Sequence, residues 1–189
     1  MRTFSLLLII MIMACQNPFA TREAEEPSQE RTNRDIPSDP ETVMRNLQSA
    51  ISEMNVDNYM FCFLNSAQDF QFVPDPFVKE NNPGLFDAWD DASEKGYFTQ
   101  LANYLPNDSL SMLLLTVVST EDFQDSVLLR RKYDLLLRHT YSDKISNRAV
   151  GQCDFWLVQK DGYWYIKRWL DFGTSDAACW SSIKAGFGK

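Results

Sequence analysis

The dipeptide Asp161-Gly162 stands between two alternating runs, Arg148 to Lys160 and Tyr163 to Phe172. A two-residue hairpin loop of type I′ needs positive φ at both central positions, and Asp-Gly meets that demand as few pairs do. The pair therefore predicts two long antiparallel strands in a fixed register. A two-residue turn sets Leu157 opposite Ile166 and Cys153 opposite Leu170 on one side of the sheet, with Asp154 opposite Trp169 on the other. Two further strands precede this hairpin. Ser109 to Thr120 is rich in Leu and Val. Ser126 to Thr140 alternates, with Leu129, Tyr133, Leu135 and Leu137 on one face and Arg130, Lys132, Asp134 and Arg138 around Leu128 and Leu136 on the other. Alternation puts Arg131 on the face opposite to Arg130 and Lys132, which guard an edge or join an interface. Four long strands with one apolar face form an antiparallel sheet that needs a layer to cover it.

The residues ahead of Pro106 supply that layer. Asp39-Pro40-Glu41 opens a helix with an N-cap Asp, Pro at the first helical position and an acid in the first turn. Val43, Leu47, Ala50, Ile51 and Met54 then share one helical face. A second short helix carries Tyr59, Cys62 and Phe63, and Phe70, Phe72 and Val73 read as a short strand stopped at Pro74-Asp75-Pro76. Leu85 to Leu105 reads as mostly helical, with Trp89, Ala92, Leu101 and Tyr104 turned inward and a joint at Gly96. The acids Asp87, Asp90, Asp91 and Glu94 around Trp89 lack the glycine and alternation of a calcium loop and read as a solvated helix face. Helices followed by a run of antiparallel strands make an α+β domain in which a bent sheet wraps over helices.

The order α–α–β–α–β–β–β–β, with the ending Gly162-Tyr163-Trp164-Tyr165-Ile166-Lys167-Arg168-Trp169-Leu170-Asp171, resembles the NTF2-like superfamily, the cystatin-like cone with its SnoaL-like members. The opening from Pro40 to Phe63 is similar to the first two helices of the family's secreted members, and the resemblance covers roughly residues 40–173. It implies a cone with a cavity between the concave sheet and the helices. Family enzymes work in that cavity with a carboxylate or a His–Asp pair, and other members bind without catalysis. The positions matching the cavity make Tyr59 and Trp169 the first candidates for a ligand pocket, with Tyr133, Trp156 and Asp171 beside them, while the ordinary reading of any one of these aromatics is core or sheet surface.

The first residues carry an address. Arg2 is followed by the apolar run Leu6 to Met13, too short to span a bilayer. A cation, a short apolar core and a small residue before the cut describe a secretory signal. Ile12-Met13-Ala14-Cys15 resembles the bacterial lipobox, which implies removal of residues 1–14 and lipid on Cys15. Gln16 follows where Asp favours inner-membrane retention in Gram-negative lipoproteins, so the resemblance leans toward the outer membrane of a bacterial envelope, on its periplasmic or surface face. Residues 16–39 hold mixed charges, several prolines, no glycine, and only Phe19 and Ile36 as large apolar side chains. Such a stretch cannot offset its ordering entropy by burial, so residues 15–39 read as a lipidated cysteine with a flexible tether, and 40–189 as the domain with a C-terminal tail.

Charge and residue types narrow the chemistry. Lys plus Arg number 18 against 26 Asp plus Glu, a net −8, which opposes general nucleic-acid binding. With one histidine, His139, and no Cys-x-x-Cys pair, the chain offers no multi-histidine or structural zinc site, and nothing in it names a cofactor. His139 lies at a strand end and reads as a surface residue. Asp171, between Leu170 and Phe172, is the one catalytic candidate: an acid among apolar residues is either a base of raised pKa or a structural carboxylate that caps the sheet end or pairs with a cation. Asp154 carries the same two readings. After lipidation Cys62, Cys153 and Cys179 remain, and a Cys153–Cys179 disulfide would pin the tail to the sheet in an oxidising compartment.

Three functions are compatible with these residues. The first is a non-catalytic, membrane-anchored lipoprotein that binds a small apolar ligand, a peptide or an envelope partner through the cone. The second is an isomerase- or dehydratase-type enzyme with Asp171 as base. The third is a structural homodimer or envelope component that uses the convex sheet. A filled cone favours the third, an open apolar one with Asp171 at its base and its pKa raised favours the second, and an open one with no titratable group inside favours the first.

Overall fold

A computed structural model of the protein describes residues 34–64, 70–106 and 109–188. The expected signal peptide, Cys15 and the tether up to residue 33 lie outside the described residues. Among the described residues the order is α1 (Pro40–Glu53), α2 (Val56–Met60), β1 (Gln71–Val73), α3 (Pro76–Asn81), α4 (Asp91–Asn103), β2 (Ser111–Asp122), β3 (Ser126–Leu137), β4 (Arg148–Lys160), β5 (Tyr163–Gly173) and α5 (Trp180–Phe187). The strands form one curled sheet in the order β1-β5-β4-β3-β2, antiparallel except for the short β1, which runs parallel to β5.

The helix starts follow their caps. Asp39 accepts the Thr42 amide hydrogen at 2.9 Å with Pro40 at the first position of α1, and Met54 ends the helix in the left-handed region. Asn55, Asp75 and Asp90 cap α2, α3 and α4 in the same way. α1 buries Val43, Met44, Leu47, Ala50 and Ile51, the stripe its sequence spacing sets. The last stretch of the expected tether is attached to this helix and to the sheet. Asp35 and Asn46 exchange two hydrogen bonds, the Pro37 carbonyl accepts from the Trp164 amide at 2.9 Å, and the Arg34 guanidinium lies 3.9 Å from the Phe61 ring centroid. The domain therefore begins at least six residues before Pro40.

Two departures from the sequence reading matter for the interior. α4 runs unbroken through Gly96, and Ala92 and Tyr104 are exposed. Its buried stripe is Glu94, Tyr97, Phe98 and Leu101. The tail is the second departure: it forms α5, whose Trp180, Ser181, Ile183, Lys184, Ala185 and Phe187 are all buried.

The hairpin turn holds as expected, with Asp161 at φ 52° and Gly162 at φ 85° and Leu157 opposite Ile166. Past that pair the register slips by one: Trp156 faces Arg168, Phe155 faces Trp169 and Cys153 faces Asp171. The expected Cys153–Leu170 and Asp154–Trp169 pairs do not form. The extra residue, Lys167, is a bulge, and a bulge changes side-chain parity on the bulged strand. Ile166 and Trp169, an odd number of residues apart, both turn inward, and Asp171 follows them. A second bulge, between Val117 and Ser119, interrupts the pairing of β2 with β3.

Gly162 has open space around it but a backbone conformation that resists any side chain. Gly162→Ala is expected to lower unfolding stability by about 1 kcal/mol, with the urea midpoint reduced and the slope unchanged.

Candidate functional site

The inner face of the sheet is a filled interior, and α5 fills it. Trp180 packs edge-on against Trp169, with ring centroids 4.4 Å apart, and against Tyr133 at 5.3 Å. Two polar clusters hold the helix there.

The first cluster is built on Asp171, which is 1% exposed. Its Oδ1 accepts from the Tyr133 hydroxyl at 2.8 Å. Its Oδ2 accepts from the Ser181 amide at 2.7 Å and the Ser181 hydroxyl at 2.5 Å. The Tyr133 oxygen in turn accepts the Trp180 amide hydrogen at 2.8 Å. Cys179 occupies the N-cap position of α5 and caps nothing through its side chain. A strand carboxylate and a tyrosine thus satisfy the first amides of the helix, where an anion is also favoured by the helix dipole. Burial raises the Asp171 carboxyl above its ordinary range, against the opposing pull of Ser181, Tyr133 and Lys184. Burial raises the Tyr133 hydroxyl as well, and the Asp171 charge adds to it. Gly151 makes this possible. A Cβ there would lie 2.6 Å from the Tyr133 hydroxyl oxygen, so any larger residue would push the ring off Asp171.

The second cluster is an ion pair with no exposed surface on either side chain. Lys184 Nζ lies 2.6 Å from both carboxylate oxygens of Glu94. The Tyr59 hydroxyl donates to Glu94 Oε1 at 2.5 Å, and the Trp89 indole N–H donates to Oε2 at 2.7 Å. The ammonium also lies 3.8 Å from the ring centroids of Phe72 and of Trp169, 5.4 Å from Tyr97 and 5.9 Å from Trp89. Burial pulls the Lys184 ammonium down to about 8, against the opposing effect of Glu94. Tyr59 stacks flat on Phe98 at 3.8 Å, and burial followed by the Glu94 charge raises its hydroxyl well above the usual range.

Four of the five expected pocket residues, Tyr59, Tyr133, Trp169 and Asp171, therefore meet in the interior. They meet around α5 rather than around an open cavity. Trp156 does not join them. It lies on the outer face of the sheet, stacked on Phe123 at 5.3 Å, because its parity is opposite to that of Phe155 and Leu157. Asp154 is also on the outer face, where Arg130 grips it through two hydrogen bonds of 2.9 Å. The expected Cys153–Cys179 disulfide is not formed, and Cys62, Cys153 and Cys179 are free thiols. Cys179 sits over Gly173, two pairs further along the strands than Cys153, and each sulfur has another partner: the Arg131 carbonyl for Cys153 and the Ser182 hydroxyl for Cys179. His139 is buried, not on the surface. Its ring lies edge-on to Phe187 at 5.0 Å, its Nδ1 accepts the Tyr141 amide hydrogen, and burial lowers its pKa.

Glu94 and Lys184 were missed by the sequence reading. A signal for Glu94 was present: it lies on the stripe of Tyr97, Phe98 and Leu101 at helical spacing. Lys184 lies between Ile183 and Ala185, both buried, and its role depends on where the tail docks. Two clefts of similar size open at the surface: one of about 860 Å³, where Trp156, Lys167 and Arg168 face Phe72, Phe86 and Trp89, and one of about 830 Å³ along the outer side of α5, lined by α3, residues 144–146 and residues 173–179. Neither carboxylate of the two clusters lines either cleft.

No protein-family model matches the chain, and no curated protein matches it. Solved structures do. A provisionally named scytalone dehydratase of Novosphingobium aromaticivorans aligns with a TM-score of 0.56 at 16% identity, over 74% of this chain and 88% of that one. A Mycobacterium tuberculosis protein of unknown function aligns with a TM-score of 0.53 at 13% identity, over 78% and 82%. An NTF2-like protein of unknown function from Shewanella oneidensis aligns with a TM-score of 0.50 at 12% identity, over 69% and 93%. At such identities the likeness shows the fold alone. The fold is the NTF2-like, cystatin-like α+β cone.

Removing one partner of a buried pair strands the other charge. Lys184→Met and Glu94→Gln are each expected to cost about 3–5 kcal/mol. The double change is expected to cost far less than their sum, which a double-mutant cycle measures. His139 gives a pH signature. Its folded pKa lies below the ordinary 6.5, so near and below pH 6.5 the unfolded chain binds a proton that the folded one refuses. Stability from this group is expected to fall as pH drops through 6.5, and His139→Gln to flatten that part of the stability–pH curve relative to the parent.

Proposed function

We propose that this chain is a non-catalytic lipoprotein of a bacterial cell envelope, anchored by lipid on Cys15, with a cone closed by its own C-terminal helix. The observation that carries the non-catalytic reading is the occupancy of the interior by α5. Asp171 is the acid expected as a base, and its oxygens are already taken: Oδ2 accepts from the Ser181 amide and hydroxyl, and Oδ1 from the Tyr133 hydroxyl. A general base must reach the proton it abstracts, and an acid that is 1% exposed beneath a docked helix reaches none. The isomerase reading would require α5 to leave on every turnover.

With the interior filled, partner contact falls to the outside of the cone. Met112 and Leu114 on the edge strand β2 and Phe172 on β5 are exposed on the outer face, with Phe123 beside Trp156. Exposed apolar side chains on one face support contact with a second copy or an envelope protein. The anchor rests on the sequence: Arg2, the run Leu6 to Met13, and Cys15 after Ala14. No helix among the described residues is long and apolar enough to cross a membrane.

One measurement addresses both halves of the proposal. Native mass spectrometry of the full chain, purified from the membranes of its own host, is expected to give the mass from Cys15 onward plus acyl chains, with no small molecule retained. An unlipidated mass removes the anchor. A stoichiometric apolar ligand in the lipidated protein removes the closed cone.

A further inference from the structure

Resting on the reading of the cone as closed by its own helix, we infer that the interior around Glu94 is a binding site for a primary ammonium on an unbranched alkyl stem, and that Lys184 is its resident ligand, supplied in cis. Glu94 is fully buried, and Tyr59 and Trp89 each donate one hydrogen bond to it. Those two donors take one acceptor position on each oxygen, fix the carboxylate plane and leave a second position on each oxygen for a guest. The guest nitrogen lies 2.6 Å from each oxygen, so it must carry at least two N–H donors. That excludes a quaternary ammonium. Phe72 and Trp169, each with its ring centroid 3.8 Å from the nitrogen, present aromatic faces to the rest of the cation.

A fold that needed only a plug would not be built this way. A buried ion pair is seldom more stable than well-packed apolar residues of the same volume, so a leucine against a leucine would close the cone as well. The interior instead surrounds one cation with a carboxylate and four aromatic rings. The helix that delivers the cation is short. α5 has eight residues, below the length at which an isolated helix is stable, and it hangs on residues 174–177, which are all exposed. The cleft of about 830 Å³ along its outer side leaves that side partly uncovered. Apolar packing of Trp180, Ile183 and Phe187 holds α5 without regard to charge, and of the contacts that hold it the Glu94 cluster is the one that selects for a cation.

The test uses the full-length protein carrying Lys184→Ala, which keeps Glu94 and empties the lysine slot. Thermal unfolding is followed with n-butylammonium chloride, with the neutral 1-butanol and with tetramethylammonium chloride at equal concentration. Butylammonium is expected to raise the melting temperature of the variant by roughly 3 °C or more near saturation, with little effect on the parent. Neither control should reproduce the rise. If Lys184→Ala does not fold alone, the same arms are read as recovery of the circular-dichroism signal on refolding, expected with butylammonium alone. A Glu94→Gln, Lys184→Ala double variant is expected to fold and to lose the response. An equal response to 1-butanol, an equal response of the parent, or no response overturns the ammonium site.

In the Lys184→Ala variant α5 still fills the interior, so the probe that can enter the lysine slot is a small free alkylamine and not a second helix. Amide hydrogen exchange of residues 180–187 in the parent tests the underlying reading separately. Slow exchange there keeps the closed cone whatever the amines do, and fast exchange removes it.

Discussion

A carboxylate and an ammonium with no exposed surface sit at the centre of this fold, and the surrounding elements are arranged to satisfy them. Taking two charges out of water costs several kcal/mol for each ion unless every remaining valence is met. Glu94 meets that cost through four contacts: Lys184 on both oxygens, Tyr59 on one and Trp89 on the other. These come from α2, the segment that precedes α4, and the C-terminal helix, onto a carboxylate that α4 carries. The pair therefore ties the helical half to the tail. With either charge missing, the other stands unpaired in a medium of low dielectric constant.

The sheet contributes through its parity. The bulge at Lys167 lets Ile166 and Trp169 face the same way, so that Trp169 lies under the Lys184 ammonium and Asp171 reaches the first turn of α5. Gly151, with no side chain to obstruct it, lets Tyr133 cross to the same carboxylate. Asp75 adds a further tie. It caps α3 and accepts from the Gly173 amide, while its own amide donates to Ser181. The end of β5, the start of α5 and α3 thus share one hydrogen-bonded joint, and the place where this fold can hold a ligand is closed from within.

The same arrangement separates an acid that is perturbed from one that is available. Asp171 has the raised pKa and apolar surroundings expected of a catalytic carboxylate, yet its hydrogen bonds are those of a helix cap. Desolvation alone raises an acid wherever it is buried, so the shift is informative only together with access. Outside the cone the charges are arranged differently. Arg130 with Asp154, and Arg148 with Asp134, brace the outer face of β3 and β4. On that face exposed apolar residues lie toward the β2 edge, at Met112 and Leu114, and at Phe172.

The sequence by itself determined the elements whose signals are local. Asp39-Pro40 starts α1, Asp161-Gly162 turns the hairpin, and alternation sends Leu129, Arg131, Tyr133 and Leu135 to the buried face of β3. Each depends on residues within a few positions of one another, which is why spacing reveals it. The tertiary structure decided the rest. A one-residue bulge leaves no mark in an alternating run, yet it moved Trp169 and Asp171 to the inside, away from the face that Trp156 keeps by the alternation of β4. A lysine in a tail and a glutamate in an acidic run look solvated until they meet across 90 residues. Their pairing is a long-range event, fixed only when the helix that carries one of them docks over the other.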